Sequence, residues 1–277
     1  MAGPGGRLDV VLVVGGRWHD LDFARLELLR ELGRHERVRT RVFEDYRGFD
    51  DQDRSPLRSA DALITFTCDV RPDPGQQSAL VTYVSGGGRW LALHGTNSAI
   101  DAPQSGEPRV FRTPRVLGPL PALLGSQFLG HPPIAPYVVE PTGHADPLVA
   151  GISAFTTTDE LYVSELHPPL TVLLQARHHG PSRGFEEGHV LDGDGPHPVL
   201  YRKVTGTGEV CYFTLGHCRG RYDVQDLGIE DLGRIDRGSW DIPEFRTLVS
   251  RTVAWAVYGD GWPAEVRDHS LSFLTTH

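Results

Sequence analysis

The apolar residues of the N-terminal half fall into short, sharply bounded runs. Leu8–Val14 (LDVVLVV) is nearly continuous and stops at Gly15-Gly16, as expected of a strand covered on both faces. Leu21, Ala24, Leu28 and Leu32 then recur at helical spacing, with Leu29 beside them; Asp20 is placed to cap this helix and Gly33 to end it. Val38–Phe43 and Ala60–Phe66 predict two more strands. Pro74–Ser85 predicts a second helix, broken by Gly86-Gly87-Gly88, and Arg89–His94 a fourth strand. That order predicts an α/β fold: a mostly parallel central sheet with helices on both faces.

The second half is less regular. Tyr137–Val139, Thr171–Leu174, Pro198–Val204 and Val210–Leu215 predict further strands, some antiparallel at the sheet edge. Arg177–His197 is rich in Gly, His (His178, His179, His189, His197) and Asp and reads as a long loop, more solvated than metal-binding. Cys218–Ser239 is polar and turn-rich. Loops of this length are functional or mobile, and either could close over a ligand. A last helix runs from Pro243 to Tyr258, with a buried stripe of Phe245, Leu248, Val249, Thr252, Val253 and Ala256, and Gly259 ends it. A chain of 277 residues patterned in this way predicts one domain over 1–277, with its core at about 8–259.

Composition removes several classes of function. Lys and Arg number 27 against 36 Asp and Glu, for a net charge of −9, and the arginines are interleaved with acids. No basic face for nucleic acid is visible. Three cysteines, Cys68, Cys211 and Cys218, are too few and too scattered for a disulfide framework or a CxxC zinc site. No apolar run reaches membrane-spanning length, and the first residues lack the basic start and cleavage site of a signal peptide. A cytoplasmic protein is expected.

In an open α/β sheet, ligands bind beyond the carboxyl ends of the strands. Trp18, His19 and Asp20 follow the first strand, His94-Gly95-Thr96-Asn97 the fourth, and Gly216-His217-Cys218 the late strand Val210–Leu215. Three histidines thus reach one rim, although any one of them could simply anchor a loop. Gly15-Gly16 is no dinucleotide fingerprint and no P-loop occurs, so no nucleotide cofactor is expected. The turn after the fourth strand reads LHGTN, with His94 at the exposed position that a nucleophile occupies in other strand-to-helix elbows. Cys68 is the alternative nucleophile, or a buried strand-end thiol. Asp159-Glu160 precedes Leu161-Tyr162. The pair is either a turn or a functional element, one acid facing inward as base or metal ligand while the other anchors the loop.

An ordered series of short motifs carries a family resemblance. It comprises GGxxHD at Gly15–Asp20, YVSGGGRWLALHG at Tyr83–Gly95, LLGSQFLGHP at Leu123–Pro132, HADPLVAGISAF at His144–Phe155, DELY at Asp159–Tyr162, TLGH at Thr214–His217 and RxxxWA at Arg251–Ala256. Each is weak alone, but together they span Leu8 to Gly259, and the chain resembles the ThuA-like, trehalose-utilisation family. The resemblance implies a flavodoxin-like, class I glutamine amidotransferase-like fold without the amidotransferase cysteine, since His94 stands at its position. It also implies bacterial sugar metabolism, chiefly of oxidised 3-keto glycosides and disaccharides. Two features depart from the family pattern: Cys218 follows the last histidine where an acid is frequent, and Cys218–Ser239 is longer than in the simplest members.

The activity so implied is proton abstraction beside the keto group, with cleavage or hydration at the glycosidic bond. It needs a base, an electrophile at the carbonyl oxygen and an acid for the leaving group. Glu160 or His94 is the expected base, with His217 completing the catalytic set. His19, Trp18, Asn97, His131, Asp159, Tyr162 and Trp240 are expected to contact the sugar. His94, His131, His217 and Glu160 are the candidate ligands of a divalent metal, Zn or Mn. The partner is a small-molecule sugar, with neither nucleic acid nor membrane involved, and a homo-oligomer is compatible with the fold. The alternative is a non-catalytic sugar-binding or regulatory domain on the same scaffold; a thiol enzyme using Cys68 is a third reading.

Overall fold

A computed structural model describes residues 6–103, 110–178, 182–187 and 195–275. His179 and His189 lie outside them. The N-terminal half follows its apolar runs closely: β1 (Leu8–Gly16), α1 (Leu21–Leu32), β2 (Val38–Phe43), β3 (Ala62–Cys68), α2 (Pro74–Ser85) and β4 (Arg89–Leu93). Asp20 caps α1 by accepting from the Phe23 amide, and Asp73 and Gln76 close a capping box at α2. Then come α3 (Leu120–Leu124), β5 (Ser126–Gly130), β6 (Ala135–Pro141), β7 (Phe155–Asp159), β8 (Val163–Leu166), β9 (Thr171–Arg177), β10 (Pro196–Thr205), β11 (Gly208–Phe213), α4 (Pro243–Tyr258) and α5 (Ala264–Thr275).

Nine strands form one sheet in the order β2-β1-β3-β4-β11-β10-β9-β6-β7. The pairings from β2 to β11 are parallel and the rest antiparallel, so that only β10 and β6 run against the others. Alternate residues of β1 face opposite sides. Val10, Leu12 and Val14 pack with α1 and α4, while Val11 and Val13 pack with Leu80 and Val84 of α2 and Leu120 and Leu124 of α3. Both faces are therefore dry, which is why β1, β3 and β4 read as unbroken apolar runs.

Three strands escaped the sequence pattern. In β7 the inward positions are Phe155, Thr157 and Asp159, and two of the three are polar. The four- and five-residue strands β8 and β5 pair only with each other, as a small second sheet. The expected boundary at Gly259 also moves: α5 packs on α4 through Val266 and Leu274, and the Ser270 backbone accepts from Thr247.

Candidate active site

The carboxyl ends of β1, β3, β4 and β11 lie side by side in the sheet. The backbone there is held in the left-handed region at three non-glycine residues, Trp18 (φ 65°), Asp69 (φ 56°) and His94 (φ 48°), each just after one of the parallel strands. Such conformations cost about 1–3 kcal/mol each and cluster at functional sites. At Gly95, an added Cβ would lie 2.7 Å from the Thr67 carbonyl oxygen and 2.9 Å from Cys68 Cβ, so the turn after β4 can close only on glycine. His94 does occupy the elbow. It is fully buried, not exposed as the sequence suggested.

His19, His94 and His217 converge from these strand ends, and Glu160 joins them from the segment after β7. Both His19 and His94 place Nδ1 against a backbone carbonyl, Arg17 at 3.1 Å and Thr214 at 2.9 Å. A carbonyl only accepts, so each Nδ1 donates to it and each ring turns its Nε2 toward the site. Those two Nε2 atoms face each other at 2.8 Å. Burial, with His94 and His217 nearby, brings the His19 pKa down to about 3 despite its contact with Glu160, so its ring stays neutral.

Glu160 is the anionic counterpart. Its carboxylate oxygens lie 3.0 Å from His217 Nδ1, 3.4 Å from Arg219 Nη2, 3.5 Å from His94 Nε2, 3.7 Å from His131 Nε2 and 3.8 Å from His19 Nε2. Burial works to raise its pKa, but the surrounding histidines, His131 and His217 foremost, outweigh it and hold the carboxyl well below its ordinary range. The reverse holds at His217: burial disfavours the imidazolium, and Glu160 overcomes this and raises its pKa. Neither ring nitrogen of His217 makes a hydrogen bond of good geometry, although both are buried.

The acid pair divides its labour. Glu160 turns inward, while Asp159 faces the protein and accepts from the amides of Glu160, Gly216, His217 and Ser239 and from the Ser239 hydroxyl. Asp159 thereby clamps the DELY segment to the loop bearing His217. It has no free lone pair directed at a ligand, contrary to its expected contact with sugar. Asn97 and Trp240 also stand elsewhere. Asn97 is buried, its side chain donating to Ser126 Oγ, and Trp240 donates to the Gly216 carbonyl beneath the loop, packed on Phe66 and Phe245.

Above the cluster opens a cavity of about 300 Å³. Trp18, His19, His131, Glu160 and Tyr162 line it, and His131 stays outside the tight four-residue set. The His131 Nδ1 faces the Pro132 carbonyl at 2.7 Å, which turns its Nε2 toward Glu160. Burial pushes the Tyr162 hydroxyl well above its ordinary pKa, so it remains a neutral donor. Cys68 reaches the wall with its thiol pushed up to about 12 by burial, a poor state for a nucleophile.

Sequence reasoning missed Arg219, which donates to the Trp18 carbonyl at 3.0 Å, contacts Glu160 and lines the cavity. It also missed the aromatic wall of Phe111, Phe128 and Phe185. Phe128 lay within the quoted LLGSQFLGHP, and Arg219 lies two residues after His217. Cys218, standing where an acid is frequent, is buried and donates to the Asp20 carbonyl, tying this loop to the start of α1.

Among the described residues, no helix is long and apolar enough to cross a membrane. No curated protein matches the sequence. The fold is similar to that of a ThuA-like protein from Bacteroides uniformis (TM-score 0.58, 15% identity, 94% of this chain and 96% of that one). It is also similar to a ThuA-like protein from Parabacteroides merdae (TM-score 0.56, 15% identity, 91% of each chain). The family pattern described as ThuA, trehalose utilisation, matches residues 10–228, most of the length from β1 into the loop after β11, and the chain therefore belongs to the ThuA family.

Proposed function

We propose that this protein is a metal-assisted enzyme of sugar metabolism that removes the proton beside the keto group of a 3-keto glycoside and so releases the glycosidic bond. The reading also takes the scaffold to be of the flavodoxin-like, amidotransferase-like kind. The observation that carries it is the approach of the Nε2 atoms of His19 and His94 to 2.8 Å. Each ring already gives its Nδ1 to a carbonyl, so this approach calls for a cation between the two nitrogens, and a metal ion rather than a shared proton is proposed because the donor set extends beyond the pair. The orphaned ring of His217 and the ionised Glu160 complete a donor set of three imidazoles and one carboxylate, the chemistry of a Zn- or Mn-type site. His19, His94, Glu160 and His217 would hold the ion, and His131 would not.

When bound, a divalent ion supplies Lewis acidity toward a substrate oxygen. The chain's own groups do the rest. Glu160 is too weakly basic to be the proton acceptor, so its role is to anchor charge. His131, half-buried at the cavity with its Nδ1 held by the Pro132 carbonyl, is the group proposed to take the proton from the carbon between the carbonyl and the anomeric centre. The electron pair left on that carbon becomes the enolate and then the new double bond as the anomeric C–O bond breaks. The departing aglycone oxygen takes the proton from His131, and water adding to the anomeric carbon gives the net hydrolysis. Arg219 and the Tyr162 hydroxyl are donors for sugar oxygens.

A proton NMR time course in D₂O tests this, with 3-keto-glucosides and 3-keto-trehalose, with and without chelator. Deuterium beside the carbonyl and loss of the glycosidic signal, both slowed by chelator, are the expected result. No exchange and no cleavage, even with added Mn²⁺ or Zn²⁺, would overturn it in favour of a non-catalytic sugar-binding domain.

A further inference from the structure

Apart from Arg183, the polar side chains lining the cavity, His19, His131, Glu160, Arg219 and Tyr162, gather around Glu160 at its floor, whereas Ile100, Phe111, Phe185, Val224, Leu227 and Leu232 supply most of the remaining lining. The apolar part is a built surface. Trp18 and Phe111 meet edge to face at 6.1 Å, and Phe128 meets Phe185 in the same way at 5.5 Å. Val224 is buried, and Leu227 and Leu232 pack against this cluster from the loop after β11. The one polar atom of the Trp18 indole is already used, donating to Asp226 at 3.1 Å, so the ring offers a ligand only apolar surface. Arg183, which also lines the cavity, is exposed.

From this division we infer that the ligand is a glycoside with an apolar aglycone, aromatic or branched alkyl, rather than a disaccharide. One sugar ring occupies the polar floor. A second would set its hydroxyls against phenylalanine and leucine. Each buried hydroxyl left without a partner costs about five- to a hundredfold in affinity. An aryl group in the same place buries apolar surface and gains aromatic contacts. At about 300 Å³ the cavity lies at the small end of ligand pockets, enough for a sugar with a compact apolar substituent.

The inference rests on the keto-glycoside reading for the bond that breaks but not for what binds, so calorimetric titration can separate the two. The probes are methyl and 4-nitrophenyl glucosides of both anomers, trehalose, and the 3-keto form of each. The expected result is that one 4-nitrophenyl anomer binds at least about tenfold tighter than its methyl counterpart, with trehalose and 3-keto-trehalose no tighter than methyl. Leu232→Asn should shrink the aryl-to-methyl ratio several-fold, with thermal unfolding run beside it to confirm folding. Aryl preference without turnover of any 3-keto probe would sink the keto-glycoside reading and uphold the apolar aglycone. Turnover of 3-keto-trehalose with no aryl preference would do the reverse. Failure of every glucoside to bind folded protein would overturn the inference as well.

Discussion

Replacing Glu160 by Gln keeps the side chain's shape and removes its charge. The native carboxylate is 4% exposed and faces His217, Arg219 and His94 within 3.5 Å. Orphaning one member of a buried ion pair costs about 3–5 kcal/mol. Two features reduce that here. His217 can release its proton, since Glu160 is what raises its pKa against burial, and the Arg219 side chain is partly solvated. The expected cost is therefore that of an imperfectly paired buried polar group, ~1–3 kcal/mol. At about 2–4 °C per kcal/mol for a domain of this order of size, Tm should fall by roughly 2–12 °C. Metal affinity should fall further. Loss of an outer hydrogen-bonding partner typically costs 10–100-fold, and Glu160 is the one anionic donor of the four, so at least ~100-fold is expected. Thermal unfolding in chelator reads the first quantity, and competition of Zn²⁺ or Mn²⁺ with a fluorescent chelator the second. A folded Glu160→Gln protein that binds both ions with wild-type affinity would refute the ligand assignment.

Other consequences follow from the same geometry. Asp159→Ala should destabilise by about 3–5 kcal/mol, more than Glu160→Gln, because it strands four buried amides that only this carboxylate accepts from; a urea midpoint shift smaller than that of Glu160→Gln would contradict it. In metal-free protein the folded pKa of His19, about 3, lies below its ordinary 6.5, so the unfolded chain takes up the proton first. Stability from this group is complete above about pH 6.5 and drains as pH falls toward 3; His19→Asn should flatten the urea midpoint against pH in that window, and an unaltered curve would count against a neutral His19. His131→Gln should lower kcat for deuterium exchange by about 10²–10⁴-fold while leaving Zn²⁺ affinity within a few-fold, and equal losses in both would place His131 among the ligands instead. Cys68, with its thiol near 12, should resist iodoacetamide at pH 8 in the native protein, and mass spectrometry showing rapid native alkylation would revive the thiol reading.

The parallel half of the fold was legible because its strands are buried on both faces, which turns burial into continuous apolar runs such as Leu8–Val14. Strand β7 was not, because its inward Thr157 and Asp159 are satisfied by hydrogen bonds from Ser239 and other groups that lie far along the chain. Helix α5 gave no isolated signal, since it is held largely through contacts with α4. His19, His94 and His217 were readable as candidates because position after a parallel strand is a local property with a known place in the fold. Asn97 follows β4 just as closely, yet its side chain, like that of Trp240 before α4, turns into the protein.

By itself the sequence determined the α/β architecture, the rim at which the three histidines meet, and the family, all of which follow from local periodicity and ordered motifs. Only the tertiary structure decided which acid of Asp159-Glu160 faces inward, that Arg219 and a wall of phenylalanines complete the cavity, and that His19 and His94 turn their Nε2 atoms toward each other. The physical reason is that a tautomer is set by the partner of the other ring nitrogen. The carbonyl that sets it for His94 belongs to Thr214, 120 residues away in the chain and brought beside it only by the pairing of β4 with β11.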